Sequence, residues 1–303
     1  MGKKIVIMLS VLAVVLFTCV ASAVSAQAYT PAQRALNVKC HNLNGVHSFV
    51  NNRIYTVVMP TRVITAPIPM MVSIHGATGS MKGQAKASGL DKAAQTRNFI
   101  AVFPQARDSK SHVWDTSPDG VDMTYILGII NYMKSTGCVD VNRIYVSGFS
   151  QGGMLTSQLA CHHPNLIAGA APIGGIIPTF DCPKGKPVPV IAAHGTADPA
   201  VYYDGGFSPN VLMVTGTKYV SQVNRAQILK NWALRNKCAS TIQTQKVGFT
   251  TTIVTYSCKD KPNVKEKMIT VSGGIHIWFG NLNDNPKTSP VMLTSLVLEM
   301  FKL

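Results

Sequence analysis

Acidic side chains are scarce: the 303 residues hold 13 Asp and Glu against 28 Lys and Arg, a formal charge of +15 at pH 7. A balance of that sign steers a protein toward anionic surfaces, whether acidic polysaccharide, phospholipid or nucleic acid. The basic residues are scattered rather than gathered into a run, and no nucleic-acid motif accompanies them. Acidic polymer therefore ranks first among these partners and nucleic acid is excluded. Cys-x-x-Cys pairs are also missing, which removes the usual framework of a structural zinc site. No Ser/Thr/Pro-rich linker, internal repeat or low-complexity tail divides the chain, so nothing marks an appended binding module.

What is there begins with Lys3 and Lys4, followed by the uncharged stretch 5–20 and by the small residues Ala21-Ser22-Ala23 and Val24-Ser25-Ala26. This is the pattern of a secretory signal peptide over 1–26, cleaved after Ala26. Its apolar core is shorter than the ~20 residues of a membrane-spanning helix, and no basic stop-transfer cluster follows. Removing 26 of the 303 residues leaves 277, a normal length for one α/β domain built on one sheet. Loss of Lys3 and Lys4 lowers the formal charge from +15 to +13. The expected mature protein is extracellular, monomeric and without stable membrane association.

Seven cysteines are present; Cys19 leaves with the signal, and Cys40, Cys138, Cys161, Cys182, Cys238 and Cys258 enter an oxidising compartment. Six cysteines allow fifteen pairings, and the sequence alone does not choose among them. Proximity suggests Cys238–Cys258 and Cys161–Cys182, which leaves Cys40–Cys138.

Short β-rich runs alternate with helical stretches, the order of a mostly parallel sheet covered on both faces. Strands are predicted at 52–59, 69–74, 99–103, 143–147, 167–173, 188–193, 251–258 and 267–271. Helices are predicted at 122–135, with Asp122 as a first-turn cap, and at 154–162, 218–237 and 289–301. Residues 202–217 have no clean period and read as a loop near the site.

The strand at 143–147 runs into Gly148-Phe149-Ser150-Gln151-Gly152-Gly153 and then into a helix. Gly-x-Ser-x-Gly in that context is the turn on which a nucleophilic serine projects above a sheet, with glycines where strand and helix would otherwise collide. Serine needs a histidine base and an acid to orient it, and in this chain order they follow as Ser, Asp, His. The strand 188–193 leads into His194-Gly195-Thr196-Ala197-Asp198, and the strand 267–271 into Ser272-Gly273-Gly274-Ile275-His276. Asp198 and His276 are thus the candidate acid and base. Asp204 and Asp181 are rivals for the acid, and His194 reads as a structural histidine bonding backbone. A tetrahedral intermediate needs two backbone donors, one after the nucleophile and one after an early strand. Those are Gln151 and Ala77, with Thr78 as the fallback.

These blocks resemble a family. Residues 139–153, His194-Gly195-Thr196-Ala197-Asp198-Pro199-Ala200-Val201, Gly273-Gly274-Ile275-His276-Ile277-Trp278 and His75-Gly76-Ala77 are similar to the elbow, acid, histidine and oxyanion segments of the secreted feruloyl esterase, acetylxylan esterase and polyhydroxybutyrate depolymerase superfamily. The resemblance runs from about residue 55 to 278 in the family's order. It implies an α/β-hydrolase fold and hydrolysis of esters on plant cell-wall polysaccharide, feruloyl first and acetyl second, with no metal or organic cofactor. Ile275 and Phe279 depart from the family's usual glycine and proline, which bears on substrate rather than reaction. Trp278 and Trp114 are candidates for stacking on a sugar or aromatic acyl group, and Thr78 for substrate contact. Two other readings stay open: a depolymerase or lipase-like esterase, and a catalytically dead wall-binding protein that keeps the fold.

Overall fold

The computed structural model describes residues 29–107, 112–179, 181–210, 212, 223–238, 241–258, 264–280 and 291–303. The expected signal peptide, 1–26, lies outside them, as do parts of the stretches 202–217, 218–237 and 289–301. Among the described residues no helix is long and apolar enough to cross a membrane.

Among the described residues, ten strands form one sheet in the order β1-β2-β4-β3-β5-β6-β7-β10-β9-β8. Their ranges are β1 Gly45–Ser48, β2 Ile54–Val58, β3 Ile68–Ile74, β4 Ile100–Pro104, β5 Val139–Phe149, β6 Gly169–Ile173, β7 Val190–Gly195, β8 Thr241–Val247, β9 Thr251–Ser257 and β10 Lys265–Val271. The centre, from β4 through β3, β5, β6 and β7 to β10, is parallel, and β1, β2, β9 and β8 pair antiparallel at the two sides. A parallel centre must be covered on both faces, and β3 is buried along its whole length. Its side chains divide by the two-residue period of a strand: Ile68, Met70, Val72 and Ile74 join one apolar cluster and Met71 the other.

The helices divide accordingly. The first cluster takes in α1 (Pro31–His41), α4 (Val121–Ser135), α5 (Gln151–His162) and α6 (Arg225–Arg235) through Cys40, Ile126, Ile130, Leu155, Leu159, Leu229 and Trp232. The second takes in α2 (Met81–Ser88), α3 (Leu90–Thr96) and α7 (Leu293–Phe301) through Met81, Leu90, Ala93, Leu293, Val297 and Phe301. Each fully buried large aliphatic side chain contributes ~1.5–3 kcal/mol.

All three suggested disulfides are formed: Cys40–Cys138, Cys161–Cys182 and Cys238–Cys258. The first ties α1 to the entry of β5 across 98 residues of chain. Asp122 does not cap its helix. That helix begins after Gly120 without a side-chain cap, and the buried Asp122 carboxylate accepts from the Arg53 guanidinium and from the Asp115 amide at 2.6 Å. An ion partner 69 residues away outcompetes the local cap.

Candidate active site

The parallel strands deliver their following residues to one edge of the sheet: His75 after β3, Ser150 after β5, Gly174 after β6, Asp198 after β7 and His276 after β10. The turn at Ser150 is tight. Its backbone sits at φ 54°, ψ −120°, a region that non-glycine residues avoid at a cost of ~1–3 kcal/mol. Its amide donates to Ile173 O at 2.8 Å, and its carbonyl accepts from Met154 at 3.1 Å as α5 begins. The flanking glycines have the steric role read from the sequence. A Cβ on Gly148 would lie 2.2 Å from Gly152 O, and one on Gly152 would lie 2.2 Å from Ile74 O.

Asp198 and His276 are in contact: the imidazole Nδ1 and carboxylate Oδ2 are 2.6 Å apart, and the His276 ring keeps partial exposure while Asp198 is buried. Asp198 Oδ1 accepts from the amides of Ala200 and Val201, each at 2.9 Å. Burial works against the ionised carboxyl, but hydrogen bonds from His194 and His276 and the amide of Val201 outweigh it and hold the group far below the usual carboxylate range. The His276 ring packs on Phe149, with centroids 4.7 Å apart, which sets it next to the residue that follows Phe149, Ser150. Gly174 closes the group, since a Cβ there would meet Phe149 at 3.2 Å and His276 at 3.4 Å. The rival acid Asp204 is exposed and bonds Asn224 at 2.7 Å.

The candidate oxyanion donors come from two segments, the start of α5 and the loop after β3. Gln151 opens α5. Ala77 follows Gly76, whose carbonyl accepts from the Gly79 amide at 3.1 Å and lies 2.7 Å from His75 Nδ1. Because that carbonyl and the Ala77 N–H occupy opposite edges of one planar peptide, pinning the first aims the second. His75 Nε2 accepts from the Ala106 amide at 3.1 Å, which leaves the ring proton on Nδ1 facing Gly76. Burial pushes the His75 pKa down to about 4, so the ring is neutral at ordinary pH. The fallback donor is unavailable: the Thr78 amide already donates to His112 O at 3.2 Å.

The two tryptophans are corrections. Trp114 is 2 % exposed and Trp278 8 %, so neither offers a face to a ligand. Trp114 Nε1 donates to His75 O at 2.8 Å, and the Gln151 side chain grips the Trp114 backbone at both its amide and its carbonyl, 2.8 Å each. Trp114 therefore ties the loop after β3 to the turn at Ser150. Trp278 Nε1 donates to Thr294 Oγ1 at 2.9 Å, anchoring the histidine segment to α7. The departures separate likewise: Phe279 is buried, whereas Ile275 and Ile277 are half exposed on either side of His276. Sequence reasoning assigned no role to His75, Gln105 or Arg225, because each acts on a partner remote in the chain: His75 on the Ala106 amide, and Gln105 Oε1 on the Met81 amide at 2.9 Å. Arg225 is buried and reaches Tyr202 O and Gly206 O at 3.0 and 2.9 Å.

Comparison with solved structures fits this architecture. The acetyl xylan esterase from Aspergillus awamori superposes over 86 % of this chain and 99 % of its own with a TM-score of 0.62, at 16 % identity. A family model described as Phospholipase/Carboxylesterase matches residues 120–225. The chain has the α/β-hydrolase fold. Among curated relatives, the chain is 29 % identical over 217 residues to feruloyl esterase B of Piromyces equi, covering 69 % of this chain and 39 % of that protein. It is 31 % identical over 118 residues to poly(3-hydroxyalkanoate) depolymerase C of Paucimonas lemoignei, covering 36 % and 28 %. The chain thus spans less than half the length of the first curated relatives it matches.

Proposed function

We propose that the chain is a secreted serine carboxylesterase that cleaves feruloyl or related hydroxycinnamoyl esters of plant cell-wall polysaccharide through an acyl-enzyme. The observation that carries the reading is the 2.6 Å contact of His276 with Asp198 beside a serine held at positive φ between β5 and α5. In the proposed cycle His276 Nε2 takes the Ser150 proton as Oγ attacks the ester carbonyl. Asp198 keeps the opposite nitrogen protonated and steadies the imidazolium. The amides of Ala77 and Gln151 bind the developing oxyanion. The tetrahedral intermediate collapses, the alcohol departs with the proton from His276, and water attacks the acyl-serine by the same path to release the acid.

Among the described residues the Ser150 hydroxyl has no hydrogen bond, so its closure onto His276 belongs to the substrate complex, where such bonds tighten. The similarity to feruloyl esterase B supports the acyl class. The formal charge, +13 once residues 1–26 are removed, suits a substrate rich in uronate.

The test has two parts. A fluorophosphonate probe should label Ser150 and no other residue, located by mass spectrometry; an unlabelled Ser150 favours the catalytically dead binding protein. Hydrolysis of methyl ferulate should exceed that of acetylated xylan, tributyrin and a hydroxybutyrate film. Vigorous activity on the film with none on ferulate overturns the acyl class in favour of a depolymerase.

A further inference from the structure

His194 is the penultimate residue of β7 and its side chain is buried, 1 % exposed. Its Nε2 lies 2.7 Å from Val201 O and 3.1 Å from Asp198 Oδ2. Both partners are acceptors, a carbonyl and a carboxylate held ionised, so Nε2 carries the hydrogen and shares it between them. Nδ1 is then a bare lone pair, and it is buried without a hydrogen-bond partner among the described residues. An apolar ring would fill the space without leaving a buried nitrogen unmatched, which costs stability. What the imidazole adds for that penalty is its Nε2 donor.

We propose that His194 is a positioning residue for the Asp198 carboxylate: its Nε2–H turns Oδ2 toward His276 and withdraws charge from it, and so sets the pH at which the site gains activity. The proposal rests on the reading of Ser150, His276 and Asp198 as nucleophile, base and acid. Oδ2 accepts from His276 and His194, while Oδ1 accepts from the Ala200 and Val201 amides. The other ionisable groups near this pair are Arg225 of α6, whose charge interacts with Asp198, and Tyr203, whose ring lies 6.1 Å from His194 and whose hydroxyl is 3.2 Å from Thr270 Oγ1. Neither makes a hydrogen bond to the carboxylate, so among the described side chains only His194 competes with His276 for it.

Without the His194 donor, Oδ2 presents more charge to His276, which then holds its proton to higher pH. The acidic limb of kcat/KM moves up, and the loosened carboxylate lowers kcat with little change in KM.

The experiment measures kcat and KM for p-nitrophenyl acetate from pH 4 to 9 in the mature protein, in His194→Phe and in His194→Gln, whose amide restores a donor. His194→Phe should shift the acidic limb upward by about half a pH unit or more and lower kcat by roughly tenfold or more, the scale seen when an outer partner of a site residue is lost. His194→Gln should return the limb toward its original position. An unmoved limb in His194→Phe, or a limb in His194→Gln displaced as far as in His194→Phe, overturns the proposal. Should His194→Phe fail to fold, histidine 15N NMR of the unsubstituted protein decides: the Nε2–H tautomer at His194 is expected, and an Nδ1–H tautomer overturns it. Fluorophosphonate labelling of the unsubstituted protein runs alongside. Labelling of Ser150 with an unmoved limb refutes the role of His194 alone, whereas absence of labelling refutes the underlying reading of the site and the proposal with it.

Discussion

The turn that carries Ser150 and the loop that carries Asp198 meet above the same sheet edge, yet they are held by opposite means. The turn is constrained by backbone against backbone: Gly148 on Gly152, Gly152 on Ile74, and the Ser150 amide on Ile173. The loop is constrained by long side chains from elsewhere. His194 reaches Val201, and Arg225 reaches Tyr202 and Gly206. A steric frame tolerates almost no added atom but is indifferent to pH, whereas a polar frame accepts changes of shape and is vulnerable to loss of a donor or a charge.

The largest expected effects are on the chemistry the two regions jointly serve. Ser150→Ala and His276→Ala should each lower turnover by roughly 10⁴ or more, with thermal unfolding close to that of the parent. Near-normal rates in either variant would remove the assigned roles. Asp198→Asn should be severe and Asp204→Asn close to neutral, and the reverse order in kcat/KM would move the acid to the exposed loop position.

Within the steric frame, Gly152→Ala should destabilise by more than about 4 kcal/mol, because its Cβ meets the Ile74 carbonyl at 2.2 Å and backbone must shift. Equilibrium urea unfolding measures this, and a loss below 1 kcal/mol would show that the strand and helix separate easily. In the polar frame, Arg225→Leu should cost roughly 2–4 kcal/mol as two carbonyls lose their donor. Hydrogen exchange should rise first around residues 201–207, and uniform change across the sheet would contradict a local role.

The smallest expected effect is on pH dependence. With the His75 pKa near 4 when folded and about 6.5 when unfolded, the unfolded chain takes up the proton first as pH falls. The contribution of this group is whole above pH 6.5, declines from 6.5 to 4 and is flat below, a loss of at most about 3 kcal/mol. Glu266 has the opposite sign: burial lifts its pKa to about 8 against hydrogen bonds from Asn236 and the Val190 amide. Its contribution is whole below about pH 4.5 and is lost as pH rises toward 8. Comparing urea midpoints at pH 7 and 4.5 for the parent and His75→Gln isolates the histidine, since the Glu266 contribution is common to both. An unchanged difference between the two pH values would place the acid sensitivity elsewhere.

Much of the sheet was legible from apolar runs, and the structure has strands within a few residues of the predicted ranges from 52–59 to 267–271. β8 escaped because Thr241–Val247 is almost wholly exposed and carries Thr, Gln and Lys rather than an apolar alternation. Its pairing with β9 makes it a strand. α1 carried a local sign that went unread, Thr30 and Gln33 bonding each other's backbone with Pro31 in the first turn.

By itself the order of residues determined that a serine stands between glycines on a strand-to-helix turn and that an aspartate and a histidine follow later strands, because these are properties of contiguous segments. It determined the cysteine count, whereas the pairing is a property of the folded chain. Only the tertiary structure decided that Asp198 rather than Asp204 touches His276, that Trp114 and Trp278 are buried braces, and that His75, His194 and Arg225 hold the loops around Ser150. Those outcomes depend on which buried donor finds which distant acceptor once the sheet has closed, and that competition leaves no periodic trace along the chain.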